Sequence, residues 1–213
     1  MERITAPPRK VDLFLASTIA YGSLGWLVTG WGLDDPFGVA VMASSCYMIQ
    51  QLQQQYASVR PRRIEYAGPR DRMLEPSQAH STGAMAGGRI HVEYENGTHV
   101  WVNRASEGTW TVRGEDGASF RLPPPGWLAW NKAGGFLEFS AELVGRRVDY
   151  VRAPGYEFLD GRGQSTEYGR LGARRSVARR DRAGQRPHPH HGFLTSAATA
   201  RRRGGGWASF LRM

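Results

Sequence analysis

Residues 89–103 read RIHVEYENGTHVWVN, and this stretch decides the fold of the second half of the chain. Apolar and polar side chains alternate on both sides of Asn96-Gly97, a pattern typical of a β-hairpin with one buried face. A two-residue turn would mix polar and apolar residues on both faces, whereas a three-residue loop with a left-handed Gly97 separates them. That loop predicts the pairs Ile90 with Val102, Val92 with Val100 and Tyr94 with Thr98. The sequence therefore predicts one uniformly apolar face on this hairpin.

Short alternating stretches separated by turn residues continue beyond the hairpin and predict an antiparallel β-sandwich domain at residues 89–162. The predicted strands are residues 89–94, 98–103, 109–113, 119–122, 127–131, 136–144 and 147–152. Large aromatic side chains within these strands are predicted core residues, namely Trp110, Trp127, Trp130 and Phe139.

The polar face of the hairpin is a candidate binding surface. It collects His91, Glu93, His99, Trp101 and Asn103. An aromatic ring flanked by hydrogen-bonding side chains can hold a sugar. The alternative is that Trp101 packs against a neighbouring layer while the other side chains form a solvated face, which is common on antiparallel sheets. Glu93 and Glu95 are interpreted as surface charges rather than as a catalytic carboxylate pair, because no cleft is predicted to face them.

Residues 1–62 show an α/β pattern instead of strand alternation. The pattern predicts a helix at residues 11–21, a buried strand at 24–28, a loop at 29–37 and a second helix at 38–59. A membrane anchor at residues 13–33 is the alternative interpretation of the first part. Glycines and hydroxyl side chains interrupt that stretch, which disfavours a spanning helix and a membrane partner. Residues 63–88 are interpreted as a linker.

The net charge of the protein lies at the end of the chain. Residues 1–162 contain 17 basic and 17 acidic side chains, whereas residues 163–213 contain 11 arginines and 2 acids, which accounts for the net charge of +9. Residues 163–213 sustain no apolar period and are predicted to form a disordered basic tail. Three interpretations of the tail remain open: phosphate contact by its arginines, metal capture by His188, His190 and His191, and a shifted reading frame without selected function.

Nucleic acid is a disfavoured partner, because the tail has few aromatic side chains on which bases could stack. Cys46 is the only cysteine in the sequence, so it can form neither an internal disulfide nor a cysteine-based zinc site. The shifted reading frame is the preferred interpretation of the tail, so the sequence predicts no metal site and no cofactor.

Several phrases of the sequence resemble large bacterial glycoside-hydrolase-like proteins. Residues 11–22 (VDLFLASTIAYG), 25–28 (GWLV) and 47–53 (YMIQQLQ) resemble the end of a catalytic (β/α)8 barrel. Residues 94–97 (YENG), 101–104 (WVNR), 122–124 (LPP), 126–129 (GWLA) and 148–151 (VDYV) resemble the β-sandwich domain that follows such a barrel. These are structural phrases rather than catalytic motifs.

The resemblance implies an α+β fold, in which a helix-strand-helix remnant of the barrel precedes the β-sandwich and the tail, and the preceding barrel strands lie upstream. Barrel active sites lie at the carboxyl ends of the strands, so the loop at residues 29–37 would face the sugar. Trp31, Asp34 and Asp35 are then candidates for substrate contact. The alternative for the two aspartates is a polar turn and helix cap before Pro36.

Glycoside hydrolysis needs two carboxylates, which in such barrels come from strands that this sequence lacks. The resemblance thus implies an accessory fragment of a carbohydrate-active protein, which supports the barrel or contacts glycan without a catalytic site of its own. A small membrane-anchored envelope binding protein is the alternative function.

Overall fold

The computed structural model describes residues 8–25, 36–162, 166–168 and 171–173. Within these ranges the helices are α1 (Pro8–Ala20), α2 (Pro36–Tyr56) and α3 (Pro76–Ser81), with short 3₁₀ turns at Pro69–Asp71 and Ala84–Gly87. The first strands are β1 (Pro61–Ala67), β2 (Met73–Leu74), β3 (Arg89–Tyr94), β4 (His99–Asn103), β5 (Trp110–Arg113) and β6 (Ser119–Leu122). The later strands are β7 (Gly126–Asn131), β8 (Phe136–Leu143), β9 (Arg146–Ala153), β10 (Tyr156–Asp160), β11 (Thr166–Tyr168) and β12 (Leu171–Ala173).

One antiparallel sheet contains most of these strands. Its order is β10-β9-β8-β7-β4-β3-β1-β2, and the β5–β6 hairpin joins it where β6 pairs with β8. Strands β11 and β12 form a separate two-stranded sheet. Because every neighbouring pair is antiparallel, short turns connect most of the strands that are adjacent in the sequence.

The predicted β3–β4 hairpin is confirmed. Ile90 pairs with Val102 and Val92 with Val100. The loop closes through hydrogen bonds from the Tyr94 amide to the Thr98 carbonyl, at 2.8 Å, and from the Gly97 amide to the Tyr94 carbonyl, at 3.0 Å. Gly97 has a φ of +78°, the left-handed conformation that a side chain would strain.

The predicted α+β fold, with a barrel remnant before a β-sandwich, is wrong. Helices α1 and α2 pack on one face of the sheet and share its core, where Ile19 and Leu52 lie with Val100 and Val102. An apolar helix stripe must be buried against another element, and the nearest large apolar surface is this sheet face. Residues 23–25 form no strand, and the rest of the predicted strand at 24–28 lies outside the described residues.

Strands β1 to β10 also form one sheet rather than the two facing sheets of a sandwich. The β5–β6 hairpin covers part of the second face instead, and its Phe120 packs against Phe139 with ring centroids 5.2 Å apart. Trp110, Trp127 and Phe139 are buried as predicted, whereas Trp130 remains partly exposed. The two faces of one sheet thus carry two separate cores.

Residues 63–88 are not an unstructured connection, because β1 pairs with β3 along most of its length.

The disorder predicted from residue 163 onward is wrong for residues 166–168 and 171–173, which form the β11–β12 hairpin. Tyr168 packs edge-on against Phe139 and Tyr150, with ring centroids 4.9 and 4.6 Å away. The rest of the tail, with its three histidines, lies outside the described residues.

A largely buried ionic network fastens α1 to the sheet. Arg162 donates from both terminal nitrogens to the carboxylate of Asp12 on α1, at 2.7 and 2.8 Å. The same guanidinium donates from Nε to Asp149 on β9, at 2.9 Å. Arg147 forms a further ion pair with Asp12, at 3.4 Å. The network links Arg162, two residues after the end of β10, to the first helix, 150 positions away in the sequence.

Candidate functional site

The candidate site lies on the sheet face opposite the helices, where two rows of side chains cross neighbouring strands. The first row, in order from β1 to β9, is Glu65, His91, Trp101, Leu128, Phe139 and Tyr150. The second row is Arg63, Glu93, His99, Trp130, Leu137 and Arg152. Side chains on one sheet face contact their cross-strand neighbours. The polar and aromatic side chains of both rows therefore meet on β1, β3, β4 and β7.

Four rings on this surface, those of His91, His99, Trp101 and Trp130, form what we call the ring stack. His91 lies on Trp101 with centroids 4.3 Å apart and planes 15° apart, and His99 lies on Trp130 at 4.3 Å and 25°. The two histidine rings are also nearly parallel, at 5°. Such aromatic pairs each contribute about 0.5–1.5 kcal/mol beyond the area that they bury.

The ring stack presents edges rather than faces. A separation of 4.3 Å between centroids is a contact distance, so nothing can enter between His91 and Trp101. Strand side chains stand roughly perpendicular to the sheet, which directs the ring edges away from it. The surface available to a ligand thus consists of ring edges and of the polar side chains beside them.

Three of these polar groups form a hydrogen-bonded chain. The Oε2 atom of Glu65 lies 3.2 Å from Nδ1 of His91, and Nε2 of His91 lies 3.2 Å from Nδ1 of His99. Burial lowers the pKa of His91, although the hydrogen bond with Glu65 opposes this effect. Burial also lowers the pKa of His99, against the opposing charge of Glu93. Both imidazoles are therefore neutral near neutral pH.

Charged side chains border the ring stack on the side of β1. Glu93 accepts a hydrogen bond from Arg62, at 3.3 Å, and its side chain is 17% exposed, whereas that of Arg62 is 71% exposed. An ion pair with so exposed a partner contributes at most about 1 kcal/mol. Glu95 lies in the hairpin loop and is exposed, so these two carboxylates do not face each other across a cleft.

The structure brings together three of the hairpin residues that the sequence selects, namely His91, His99 and Trp101. Asn103 is placed elsewhere: it is fully buried and donates from Nδ2 to the carbonyl oxygens of Gly108 and Leu122, at 2.9 and 2.8 Å. Its amide connects β4 to the β5–β6 hairpin. The other candidates, Trp31, Asp34 and Asp35, lie outside the described residues.

Two members of the site were missed by sequence reasoning. Glu65 lies in a segment interpreted as a linker, and Trp130 was assigned to the core. The alternation of β1, in which Arg63 and Glu65 point to one face and Ile64 to the other, is the signal that marks Glu65. For Trp130, no local signal indicates that β7 lies beside β4.

Among the described residues, no group of three or more histidine, cysteine, aspartate or glutamate side chains is arranged to hold a metal ion. No helix within the described ranges is long and apolar enough to cross a membrane.

Fold and site together define an antiparallel β domain with two helices on one face and a polar-aromatic surface on the other. Comparison with protein-family models, with curated proteins and with solved structures found no match. The resemblance to glycoside-hydrolase-like proteins therefore rests on the sequence phrases alone.

Proposed function

We propose that this chain is an accessory domain of a carbohydrate-active protein, which contacts glycan through the ring stack and has no catalytic site of its own. One observation carries the proposal: four nearly parallel rings lie beside carboxylates on a partly exposed sheet face. Small-molecule sites typically combine apolar or aromatic surface with a few convergent hydrogen-bonding groups. Both are present on the same face.

Rigidity favours recognition by this surface. Each ring is held by a stacked neighbour, and the histidines are also held by hydrogen bonds. Side chains that are already ordered lose little conformational entropy when a ligand binds. This smaller entropy loss matters most for a weakly interacting ligand such as a sugar.

The mode of contact differs from a sugar lying flat on an exposed ring. The ring faces cover one another, so hydroxyl groups would meet the histidine edge and the carboxylates, while apolar sugar carbons would meet the tryptophan edges. His99 is the central group, because it is partly exposed and lies between Glu93 and Trp130 in its row.

A panel of soluble polysaccharides tests the proposal by affinity electrophoresis, followed by calorimetry on those that retard the protein. We expect retardation by at least one polysaccharide and about a tenfold weaker affinity for H99A, equivalent to about 1.4 kcal/mol. The matched control is H80A, which removes an exposed histidine of α3 that lies outside the ring stack. Absence of retardation throughout the panel, or equal affinities for H99A and H80A, would overturn the proposal.

A further inference from the structure

We infer that Glu65 is a positioning residue, which fixes His91 and His99 as Nδ1–H tautomers and so leaves Nε2 of His99 as a bare hydrogen-bond acceptor aimed at donor groups of a neutral, hydroxyl-rich glycan. The ligand part of this inference rests on the proposed function. The tautomer part depends only on the contacts within the cluster.

The tautomers follow from the direction of the two hydrogen bonds. A carboxylate only accepts, so Nδ1 of His91 must carry the proton that Glu65 receives at 3.2 Å. In a neutral imidazole the other nitrogen is then bare, so Nε2 of His91 accepts from Nδ1 of His99, at 3.2 Å. The neutral ring of His99 therefore donates its single N–H proton from Nδ1 to His91. Its Nε2 atom is left as an acceptor.

Lowering the pH adds a proton to the hydrogen-bonded chain of Glu65, His91 and His99 at one defined atom. One additional proton can bind Nε2 of His99 without breaking either contact, because His99 continues to donate from Nδ1. A second proton would place hydrogens on both nitrogens of the 3.2 Å contact between the rings and would break it. The cluster therefore takes up one proton, at the atom that faces the ligand, and that atom changes from acceptor to donor.

The charged groups around His99 determine when this change occurs. Burial lowers the pKa of His99 most, the charge of Glu93 across the strand pair raises it, and the charge of Arg63 lowers it. His91 is hydrogen-bonded to His99, and the exposed Arg62 is bound to Glu93. Since the net shift is downward, the acceptor form prevails near neutral pH.

The acceptor form selects a class of ligand. Glu65 adjoins His91, and Glu93 lies across the strand pair from His99, so the Nε2 acceptor of His99 belongs to a surface whose neighbouring polar groups include two further acceptors. Sugar hydroxyls can donate to all of these groups, whereas the deprotonated carboxylate of a uronate sugar can donate to none of them. Neutral polysaccharides should therefore bind more tightly than their uronate counterparts near neutral pH.

Long-range proton–nitrogen correlation spectra of the nitrogen-15-labelled full chain test the tautomers without any glycan. We expect both rings as Nδ1–H tautomers in the wild type and loss of that form in E65A, whose side chain offers no acceptor to His91. The matched control is E93Q, because Glu93 makes no hydrogen bond to either ring among the described contacts and its loss should leave both tautomers in place. An Nε2–H tautomer on either ring of the wild type, or unchanged tautomers in E65A, would overturn the assignment to Glu65.

Calorimetry with a neutral polysaccharide and a uronate polysaccharide then tests the ligand class. We expect the neutral one to bind at least about tenfold more tightly, equivalent to about 1.4 kcal/mol. Equal or inverted affinities would overturn the ligand class. The two failures are distinguishable: Nδ1–H tautomers without binding of any polysaccharide reject the proposed function, whereas polysaccharide binding with Nε2–H tautomers rejects the positioning role of Glu65.

Discussion

Trp127 donates a hydrogen bond from its indole nitrogen to Oε1 of Glu138, at 2.9 Å, between two side chains that solvent does not reach. The other carboxyl oxygen, Oε2, has no hydrogen-bond partner among the described residues. Burial raises the pKa of Glu138 well above its ordinary value, although the Trp127 bond opposes this effect. A charged carboxylate would lie unpaired here, so the protonated form is the one that suits the core.

Replacing this carboxyl should change how stability depends on pH. Because the pKa of Glu138 is raised in the folded state, its contribution is complete below the ordinary glutamate pKa and is lost as the pH rises toward the folded pKa. We expect the wild-type free energy of unfolding to fall across that window by up to about 1.4 kcal/mol per pH unit, and the fall to be reduced in E138Q. Urea unfolding at a series of pH values measures this pH dependence of the free energy of unfolding. E142Q, on the same strand but partly exposed, is the control, and parallel slopes for wild type and E138Q would contradict the prediction.

Removing Asp12 should separate α1 from the sheet. D12A deprives Arg162 of two hydrogen bonds and Arg147 of an ion pair in a mostly buried network. Breaking a buried pair by removing one partner costs about 3–5 kcal/mol, and the retained contact with Asp149 favours the lower end. Chemical unfolding provides the measurement.

The comparison for D12A is R121A, which breaks an ion pair with Glu142 whose arginine side chain is 61% exposed. That loss should stay below about 1 kcal/mol. Similar losses for the two variants would show that the Asp12 network contributes no more than a surface pair.

A methyl group at Gly126 should disrupt the start of β7. A Cβ atom there would lie 2.5 Å from the carbonyl oxygen of Pro123 and 2.7 Å from that of Ser140, and both are backbone atoms. Backbone cannot rotate away, so G126A should lose about 3 kcal/mol or more. G135A is the control, because nothing lies within 4 Å of its Cβ and only its positive φ opposes the change. Thermal unfolding should rank G126A well below G135A; the opposite order would refute this account of Gly126.

Asn103 should contribute to stability and not to glycan affinity. N103A removes the donor that Asn103 supplies to the buried carbonyl of Leu122, a loss that costs about 1–3 kcal/mol. It also removes the bond to the carbonyl of Gly108, which is exposed and still accepts from Arg89. Unfolding measurements should detect this loss, while calorimetry with any polysaccharide that binds the wild type should give an unchanged affinity for the folded variant. A selective loss of affinity at unchanged stability would place Asn103 in the binding surface instead.

The hairpin of β3 and β4 could be predicted in full from local sequence. Its register follows from the alternation of side chains and from Gly97, which alone in its loop adopts a positive φ. The bounds of the neighbouring strands were likewise predicted closely, because turn residues delimit them. Both signals act over a few residues and need no knowledge of the rest of the chain.

The candidate site could be predicted only in part. The hairpin supplies His91, His99 and Trp101, which adjoin one another through local pairing. Glu65 reaches His91 from 26 residues away, and Trp130 reaches His99 across the β4–β7 pair. The alternation of the sequence indicates which sheet face each of these side chains takes, but it does not indicate which strands pair with each other.

The sequence by itself determined where β3 to β9 run, which face each side chain of the β3–β4 hairpin takes and where the charge of the chain lies. Only the tertiary structure decided that all the main strands join one sheet, that α1 and α2 cover one face of it, and that Glu65 completes the histidine chain. The physical reason is the range of the forces: turn and strand preferences act between near neighbours, whereas strand order follows from burying apolar surface over the whole chain.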